Sequence, residues 1–367
     1  MPRSHRAPAT MFSTSAALRA QALAIVAVLQ VGVVAAASAP EKPKPRPNAV
    51  ELARSFAERP LSEVLLAPPA PSILVPSPAP RSIVRQTPRP AAPKPAAPAA
   101  AAPAPGARYV PRGTGMWLYQ WEETEGGDAR AIVHRAQVTG LSHLYVRTGT
   151  RKGGFDAARQ LRALLPATKG TNIQVIAWDF PQLKNPLADA RRLAAAANFR
   201  VPGAPRIMAV APDIETGAEG TKLTGHAVDT YLKTLRRLLP NDVSIIGVVP
   251  WPSEKRLGRY PFDVVAKWSD AVAPMAYWVN RDPATVVRQS MQRLGRYRKP
   301  VLPIGQAYDP RIDVPTLKWG PPSRAQMDAF FRTADAQGAE SVSLWVWQFA
   351  SPDQWKALAA ARSRYSD

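Results

Sequence analysis

Short apolar runs alternate eight times with segments of helical periodicity between Ala107 and Asp367. Such alternation is typical of buried parallel strands joined by amphipathic helices. Eight β–α units over this length match a closed barrel, which typically needs ~250 residues. An open doubly wound sheet is the alternative, but it would carry a glycine-rich phosphate turn after the first strand, where this chain has WEETEGGD. We therefore predict an α/β (β/α)8 TIM barrel over residues 107–367.

The expected elements follow from these periodicities. The predicted strands are GMWLYQW, HLYVRTG, IQVIAWDF, IMAVAPDIE, SIIGVVPW, AVAPMAYW, VLPIGQAY and SVSLWVWQF. The predicted helices are Ala129–Thr139, Phe155–Leu165, Leu187–Ala197, Ala227–Leu239, Phe262–Trp268, Ala284–Tyr297, Arg324–Gln337 and Gln354–Arg364.

Residues 1–39 have the pattern of an export signal. Arg3, Arg6 and Arg19 precede an uncharged run that ends in small residues, AQALAIVAVLQVGVVAAASA. Cleavage after Ala37 fits the rule for small residues at the cleavage site. The run also reaches the ~20 residues that span a bilayer as a helix, so an uncleaved N-terminal membrane anchor is the alternative. Both interpretations place the barrel outside the cytoplasm, in the periplasm or the extracellular space.

Residues 40–106 form a proline- and alanine-rich stretch. About half of the chain's 40 prolines lie in its first third. Proline lacks an amide donor, and at this density it opposes both helix and sheet. We expect a disordered, partly extended linker between the signal or anchor and the barrel.

The composition excludes several classes of function. The chain has no cysteine, which rules out a thiol nucleophile and a zinc–thiolate site. Its formal net charge is +21, and the excess is spread along the chain. A basic surface attracts polyanions such as anionic wall polymers. No nucleic-acid recognition motif is present, so we expect no nucleic-acid partner.

The fourth predicted strand ends in an unusual pair of acids, in the stretch IMAVAPDIETG. Alternate strand residues share a face, so Asp213 and Glu215 point the same way. The active sites of TIM barrels lie at the carboxyl ends of the strands. At that mouth, loss of water and repulsion between two neighbouring carboxylates would raise the pKa of one of them. One group then serves as an acid while the other stays an anion. A helix cap or a surface salt bridge is the alternative role.

Aromatic and polar residues follow several other predicted strands. Indole rings stack on the apolar faces of sugars, while sugar hydroxyls need carboxylate and amide partners. The pattern therefore predicts a glycan groove at the mouth. The predicted binding residues are Trp121, Arg147, Trp178, Asp179, Trp251, Trp278, Gln306, Asp309, Trp347 and Gln348.

The positions of the four histidines argue against a histidine metal site and against a Ser-His-Asp relay. None of His5, His134, His143 and His226 follows a predicted strand. A histidine metal site and a Ser-His-Asp relay are therefore not expected, and neither is a cofactor. Carboxylate catalysis remains, and glycoside cleavage is a common use of it.

The Asp-x-Glu of PDIE and the run LWVWQFAS resemble the lysozyme-type muramidases of glycoside hydrolase family 25. The same Asp-x-Glu together with PMAYW resembles the chitinase-like hydrolases of family 18. The resemblance implies that Glu215 is the general acid. It also implies that Asp213 and Tyr277 hold the acetamido group of an N-acetylated polysaccharide, such as peptidoglycan or a chitin-like polymer.

Two questions stay open at this point. The family 18 pattern has further aspartates upstream on this strand, where the chain has Met208 and Ala211. A glycan-binding barrel without turnover is therefore the alternative to an enzyme. A mechanism with Asp179 or Asp309 as the second carboxylate is also open. The distance between that carboxyl group and the acid would decide whether it acts as a nucleophile or as a base that activates water.

Overall fold

The computed structural model describes residues 108–150, 154–312 and 315–365. Eight parallel strands close into a barrel in the order β1-β10-β9-β8-β7-β6-β5-β2, and a two-stranded antiparallel hairpin, β3-β4, follows β2. The strands are β1 (Gly113–Leu118), β2 (His143–Arg147), β3 (Gly149–Thr150), β4 (Gly154–Phe155), β5 (Gln174–Asp179), β6 (Ala209–Pro212), β7 (Ser244–Pro250), β8 (Ala271–Met275), β9 (Ile304–Gln306) and β10 (Ser341–Trp345). The predicted TIM barrel is confirmed.

One or two helices follow each barrel strand along the chain. They are α1 (Ala129–Thr139), α2 (Ala158–Ala167), α3 (Pro186–Asn198), α4 (Gly225–Leu238), α5 (Glu254–Leu257), α6 (Phe262–Trp268), α7 (Pro283–Gly295), α8 (Arg324–Ala336) and α9 (Pro352–Ala361). Polar side chains start many of them: Asp128 caps α1, and Asn185 and Asp282 cap α3 and α7, where proline occupies the first turn. These caps satisfy amide groups that have no partner inside the helix.

Most predicted boundaries shift by a few residues, and two of the differences are examined for their cause. Phe155 was expected to begin a helix, but it lies in β4 opposite Gly149, and α2 begins at Ala158. The seventh barrel strand is shorter than expected, since β9 covers only Ile304–Gln306. Pro303 precedes it, and proline has no amide hydrogen to donate to a neighbouring strand.

Strand parity divides the buried side chains into two layers. Residues at one parity fill the barrel interior, and those at the other pack between the barrel and its helices. Ala209 and Ala211 of β6 face the interior, as predicted, while Val210 faces the helices. Large rings fill the space that these alanines leave, and Trp117 stacks on Tyr145 with ring centroids 4.1 Å apart.

The amino-terminal end of the barrel holds a buried histidine, His143. A Cβ added to Gly115 of the adjacent β1 would lie 2.1 Å from its Nε2, so only glycine fits there. Ser142 Oγ lies 2.9 Å from His143 Nδ1, and Ser341 Oγ lies 3.4 Å from Nε2. Burial lowers the pKa of His143 to about 3, so the ring is neutral at physiological pH. His143 has the expected position, at the opposite end of the barrel from the mouth.

The expected export signal or anchor (1–39) and the expected linker (40–106) lie outside the described residues. Within the residues that are described, no helix has the length and apolar character needed to cross a bilayer.

Candidate functional site

Asp213 and Glu215 extend the line of β6 toward the mouth of the barrel. The Asp213 amide donates to the Asp179 carbonyl at 2.9 Å, and the Ile214 amide donates to the Val248 carbonyl at 3.1 Å. Bonds to both neighbouring strands therefore fix the backbone here. Ile214 packs in the layer next to the helices, so Asp213 has the parity of the barrel interior.

Both carboxyl groups are buried. Glu215 has no exposed surface and Asp213 is 4% exposed. Neither Glu215 oxygen, nor Asp213 Oδ1, has a hydrogen-bond partner among the described residues. The sequence places the two acids at the mouth of the barrel, but neither reaches the surface. The two acids are adjacent as expected, but they lie beneath the surface.

Burial is the main influence on the protonation of this pair. It raises the pKa of Asp213 to about 7, with further contributions from the negative charges of Glu219 and Asp179. Burial also raises the pKa of Glu215 well above its usual value, reinforced by the charges of Asp213 and Glu219 and opposed by Arg256. Burial therefore favours the protonated form of Glu215, and each nearby negative charge makes its ionisation less favourable.

The turns after β6 and β7 supply further charged and polar groups near Glu215. Thr216 and Glu219 form a reciprocal capping box around a single 3-10 turn, Gly217–Glu219. The Tyr260 hydroxyl donates to the Ile214 carbonyl at 2.7 Å. Arg256 of α5 lies close enough to act electrostatically on both Glu215 and Glu219. Glu219, Arg256 and Tyr260 were not predicted as site residues, because they belong to turns rather than to strand ends.

Tyr277 follows β8 and faces the interior, as the resemblance implies. It is 4% exposed and packs edge-on against Tyr308 with ring centroids 6.2 Å apart. Tyr277 belongs to the same interior layer as Ala211, whereas its neighbour Ala276 lies in the outer layer.

Asp179 is turned away from the interior, contrary to its predicted place in the groove. Its neighbour Trp178 occupies the inward position, so parity directs Asp179 toward the helices. There Arg192 Nε donates to Asp179 Oδ2 at 2.7 Å, and Arg192 Nη1 donates to Asp189 Oδ1 at 2.7 Å. Burial raises the pKa of Asp179 to about 6, although Arg192 opposes the shift.

Four rings form a continuous aromatic cluster inside the barrel, which we call the aromatic floor: Trp117, Tyr119, Trp178 and Trp345. The ring centroids of Trp178 lie 5.5 Å from those of both Trp117 and Trp345. Trp178 is a predicted site residue, but the other three were missed. The signal that could have found them was parity, because residues two apart on a strand share a face.

Trp278 and Trp347 lie outside the mouth, contrary to prediction. Trp278 packs on Phe330 of α8 at 5.4 Å, and Trp347 packs on Trp355 of α9 at 4.6 Å. Both belong to the layer between the barrel and the helices. Tyr277 takes the inward position beside Trp278, so strand alternation turns the Trp278 indole outward. Trp347 lies beyond the end of β10, in a 3-10 turn (Trp347–Phe349), where strand alternation no longer applies.

Trp121, Arg147 and Trp251 are partly exposed near the strand ends, as a groove requires. The Arg147 guanidinium lies 4.9 Å from the centre of the Tyr119 ring. The Arg281 guanidinium lies 4.9 Å from the centre of the Trp251 ring. Arg281 is a further residue that the sequence analysis did not identify.

The three remaining predicted residues differ in environment. Gln306 is buried, and its Oε1 accepts a hydrogen bond from the Val279 amide at 2.9 Å, which makes it a structural group. Asp309 binds Arg311, with Nη2 to Oδ2 at 2.6 Å, and this contact lowers the pKa of Asp309. Both amide atoms of Gln348 are buried without a hydrogen-bond partner among the described residues.

Within the ranges that the structure describes, no group of three or more His, Cys, Asp or Glu side chains could hold a metal ion.

No protein-family model matches the sequence, and no curated protein matches it. Solved structures match its fold. Active domain 2 of a thermostable chitinase from Pyrococcus furiosus aligns with a TM-score of 0.51 and 13% identity, over 71% of this chain and 97% of that one. An endo-1,4-β-mannanase from Rhizomucor miehei aligns with a TM-score of 0.51 and 8% identity, over 69% of this chain and 94% of that one.

A third match is the GH99 endo-α-mannosidase from Bacteroides thetaiotaomicron, with a TM-score of 0.51 and 12% identity, over 70% of this chain and 97% of that one. At these identities the likeness concerns the fold. The chain is a diverged TIM barrel similar in architecture to glycoside hydrolases.

Proposed function

We propose that this protein hydrolyses O-glycosyl bonds of an N-acetylated polysaccharide such as peptidoglycan, with Glu215 as the proton donor. One observation carries the proposal. Two carboxyl groups, Glu215 and Asp213, lie buried together at the carboxyl end of the fourth barrel strand, and Glu215 has no hydrogen-bond partner among the described residues. Leaving a buried carboxyl unpaired destabilises a fold, so such a group is a functional-site candidate.

The protonation of the pair suits acid catalysis. Cleavage needs a carboxylic acid that still holds its proton near neutral pH and delivers it to the leaving oxygen. The raised pKa of Glu215 meets that requirement. Asp213, with Tyr277 inside the barrel, is then the group that orients the acetamide and stabilises the charge that develops on the sugar.

The other candidate carboxylates are engaged elsewhere. Asp179 binds Arg192 in the helical layer, and Asp309 binds Arg311. This arrangement favours Asp213, rather than either of them, as the partner of Glu215.

A substrate must first reach the buried acid. The turn at 216–220 and the short helix α5 (Glu254–Leu257) carry the charged groups nearest to Glu215. In the proposed mechanism these two turns move aside when the polysaccharide binds, and their closure around the sugar excludes water from the acid. The aromatic floor beneath supplies apolar ring surface to the bound sugar.

The comparisons support the choice of reaction, since proteins of similar fold include a chitinase, an endo-1,4-β-mannanase and an endo-α-mannosidase. The sequence pattern of residues 1–39 supports action outside the cytoplasm, in the periplasm or beyond, with a membrane attachment where the segment is not cleaved. Cell fractionation of the tagged full chain tests this location.

The activity is tested by incubating the purified full chain with peptidoglycan and with chitin oligomers. Glu215→Gln keeps the shape of the side chain but removes the acidic proton, so we expect turnover to fall about 10²- to 10⁴-fold. Glu340→Gln is the matched control, because the Glu340 side chain is 47% exposed, pairs with Arg112 and lies just before β10, at the end of the barrel opposite the mouth. Turnover by Glu215→Gln at the wild-type rate would exclude this residue as the acid.

A glycan-binding barrel without turnover is the second candidate. The complete burial of Glu215 favours it, as does the occurrence of Met208 and Ala211 in place of upstream aspartates. In that case Glu215→Gln leaves glycan binding intact, while Trp251→Ala weakens it, as isothermal calorimetry would show. Release of reducing ends by the wild-type protein rules out this alternative.

A further inference from the structure

The end of the barrel opposite the mouth carries a dense group of cationic side chains. They lie in the loops that lead into the barrel strands and in the turn after α9. Most are exposed, and Lys299 is half-buried. Within the part of the chain that the structure describes, no salt bridge joins the following cations to a carboxylate, and we call them the basic face: Lys169, Arg200, Arg296, Arg298, Lys299 and Arg362.

The acids at this end do not balance the basic face, because they pair with other arginines. This holds for each described acid in the loops that lead into the strands and in the last turn of the helix before each loop. The pairs are Arg206–Asp242, Arg112–Glu340, Arg108–Asp270, Arg236–Asp270 and Arg364–Asp335. The charge of the basic face is therefore available to a partner outside the chain.

The mouth does not share this excess of positive charge. The loop after β1 carries the exposed Glu122 and Glu123, and Glu219 follows β6 beside the buried acids. Cations such as Lys184 and Lys222 lie among these acids. The positive charge is spread along the sequence, but in the folded barrel its excess is larger at the amino-terminal end than at the mouth.

Two exposed apolar side chains lie at the same end as the basic face. Val138, in the last turn of α1, is 63% exposed, and Leu238, the last residue of α4, is 41% exposed. A soluble polyanion offers such side chains no apolar partner. The boundary between the headgroups and the acyl chains of a bilayer accepts them. Cations and apolar groups on one face therefore favour a lipid surface.

The described chain also enters the barrel at this end. Arg108 is the first described residue, and it donates to the Asn241 carbonyl at 3.0 Å and to Asp270 Oδ1 at 2.9 Å. Both partners lie in loops that lead into strands. Residues 20–39, an uncharged run of bilayer-spanning length, precede this point in the sequence. The sequence therefore connects that run to the basic face rather than to the mouth.

We propose that the basic face docks on an anionic phospholipid bilayer, with the mouth of the barrel turned away from the membrane. Each Lys or Arg held near such a surface adds attraction to the anionic headgroups, and this attraction falls off within a Debye length. Val138 and Leu238 then reach the headgroup boundary. The docking surface lies at the opposite end of the barrel from the proposed active site, so either proposal can fail without the other.

Vesicle sedimentation with the purified full chain tests the docking. Vesicles of phosphatidylcholine alone are compared with vesicles in which about 30% of the lipid is phosphatidylglycerol. We expect the partition coefficient on the anionic vesicles to be about 10- to 100-fold larger at low salt. The difference should shrink as salt is raised, since the cations are exposed.

Substitutions then assign the binding to the basic face. Lys169→Glu combined with Arg298→Glu should lower the partition coefficient on anionic vesicles about tenfold or more. Lys184→Glu combined with Lys222→Glu is the matched control, because it changes the net charge equally on exposed lysines in the loops after β5 and β6, at the mouth. The control should lose less than about threefold. Residues 1–107 are the same in all variants, so differences between them come from the barrel.

A further variant distinguishes a bilayer from a soluble polyanion. Val138→Ser removes apolar surface but no charge, so it should weaken binding to anionic vesicles about two- to fivefold. Binding of soluble polyphosphate should not change. Circular dichroism verifies that every variant is folded.

Three results would overturn the inference. The first is equal partition of the wild-type protein on neutral and anionic vesicles. The second is an equal loss in the Lys169→Glu, Arg298→Glu variant and its control. The third is vesicle binding that Val138→Ser leaves unchanged while polyphosphate binds as tightly as the vesicles, which would assign the basic face to a soluble polyanion. Hydrolysis of soluble chitin oligomers by the Lys169→Glu, Arg298→Glu variant should equal that of the wild type, which separates docking from the proposed activity.

Discussion

The raised pKa values of Asp213 and Glu215 come from the exclusion of water more than from neighbouring charges. Burial is the largest influence on both pKa values, and nearby negative charges are secondary. Two acids in a solvated groove would have stayed ionised. Burial of the pair therefore favours the protonated form of Glu215, which its proposed role as proton donor requires.

A pH-dependent stability follows for Asp213. Its pKa is raised from 3.8 to about 7 in the folded chain, so the folded state binds more protons than the unfolded state between those values. The contribution of Asp213 to stability is fully present below about pH 4 and is lost as pH rises toward 7. The Asn side chain of Asp213→Asn does not titrate. Between pH 5 and pH 8, the free energy of unfolding of this variant should therefore rise by about 2 kcal/mol relative to that of the wild type.

Urea unfolding at both pH values measures this gap. Asp263→Asn serves as the control, because Asp263 lies in the exposed first turn of α6 and its substitution should give the same difference at both pH values. A gap for Asp213→Asn that stays constant with pH would contradict the raised pKa.

Strand alternation decides which site residues could be predicted from sequence. The inward direction of Asp213 and Tyr277 could be predicted, because each follows a strand whose parity the sequence reveals. Trp278 and Trp347 were misplaced because each was assigned to the mouth on residue type alone. The cover over Glu215 could not be predicted, since it depends on the conformation of turns that have no periodicity.

At the scale of elements, a buried ion triad joins β5 to α3. Arg192 contacts Asp179 at the end of the strand and Asp189 on its own helix, and all three side chains are at most 7% exposed. The Asp189 carboxylate also accepts from the Leu183 amide at 2.8 Å, which fixes the loop before α3. The triad anchors the strand that carries Trp178 of the aromatic floor.

Breaking this triad should be costly. Arg192→Met would leave two buried carboxylates without a cation, and we expect the free energy of unfolding to fall by about 3–5 kcal/mol. Adding Asp179→Asn should recover part of the loss by removing one of those charges. Arg191→Met, on the exposed face of the same helix, is the control and should change little in chemical denaturation. A loss for Arg192→Met no larger than for this control would show that the triad carries no stability.

Elements with strong periodicity were the most predictable part of the fold. The bounds of α1 and α6 match the prediction, because a clear apolar face runs along each helix. The hairpin β3-β4 and the short helix α5 were missed. Each is two to four residues long, and so short an element has no periodicity to detect.

At the scale of the whole molecule, the chain carries a large positive charge that a TIM barrel does not need in order to fold. The formal net charge is +21, from 48 Lys and Arg against 27 Asp and Glu. Such a surface concentrates anionic polymers around the protein before any site is occupied. This attraction acts over a Debye length, so it weakens as salt is raised.

Co-sedimentation tests the long-range attraction. Retention of the full chain on insoluble anionic wall material should fall several-fold between about 50 and 500 mM NaCl, because the Debye length shortens over that range. Retention on neutral chitin should not respond to salt. An equal response on both supports would contradict a role for net charge.

The buried position of Glu215 links affinity to loop opening. If the uncovered state is a small fraction of the population, the measured dissociation constant exceeds the intrinsic one by the inverse of that fraction. Loosening the capping box at Thr216, which leaves the barrel strands and the acids untouched, would then tighten binding while admitting water to the proton donor. A substitution in this one turn would thus strengthen ligand binding and weaken the proposed catalysis, while the barrel stays unchanged.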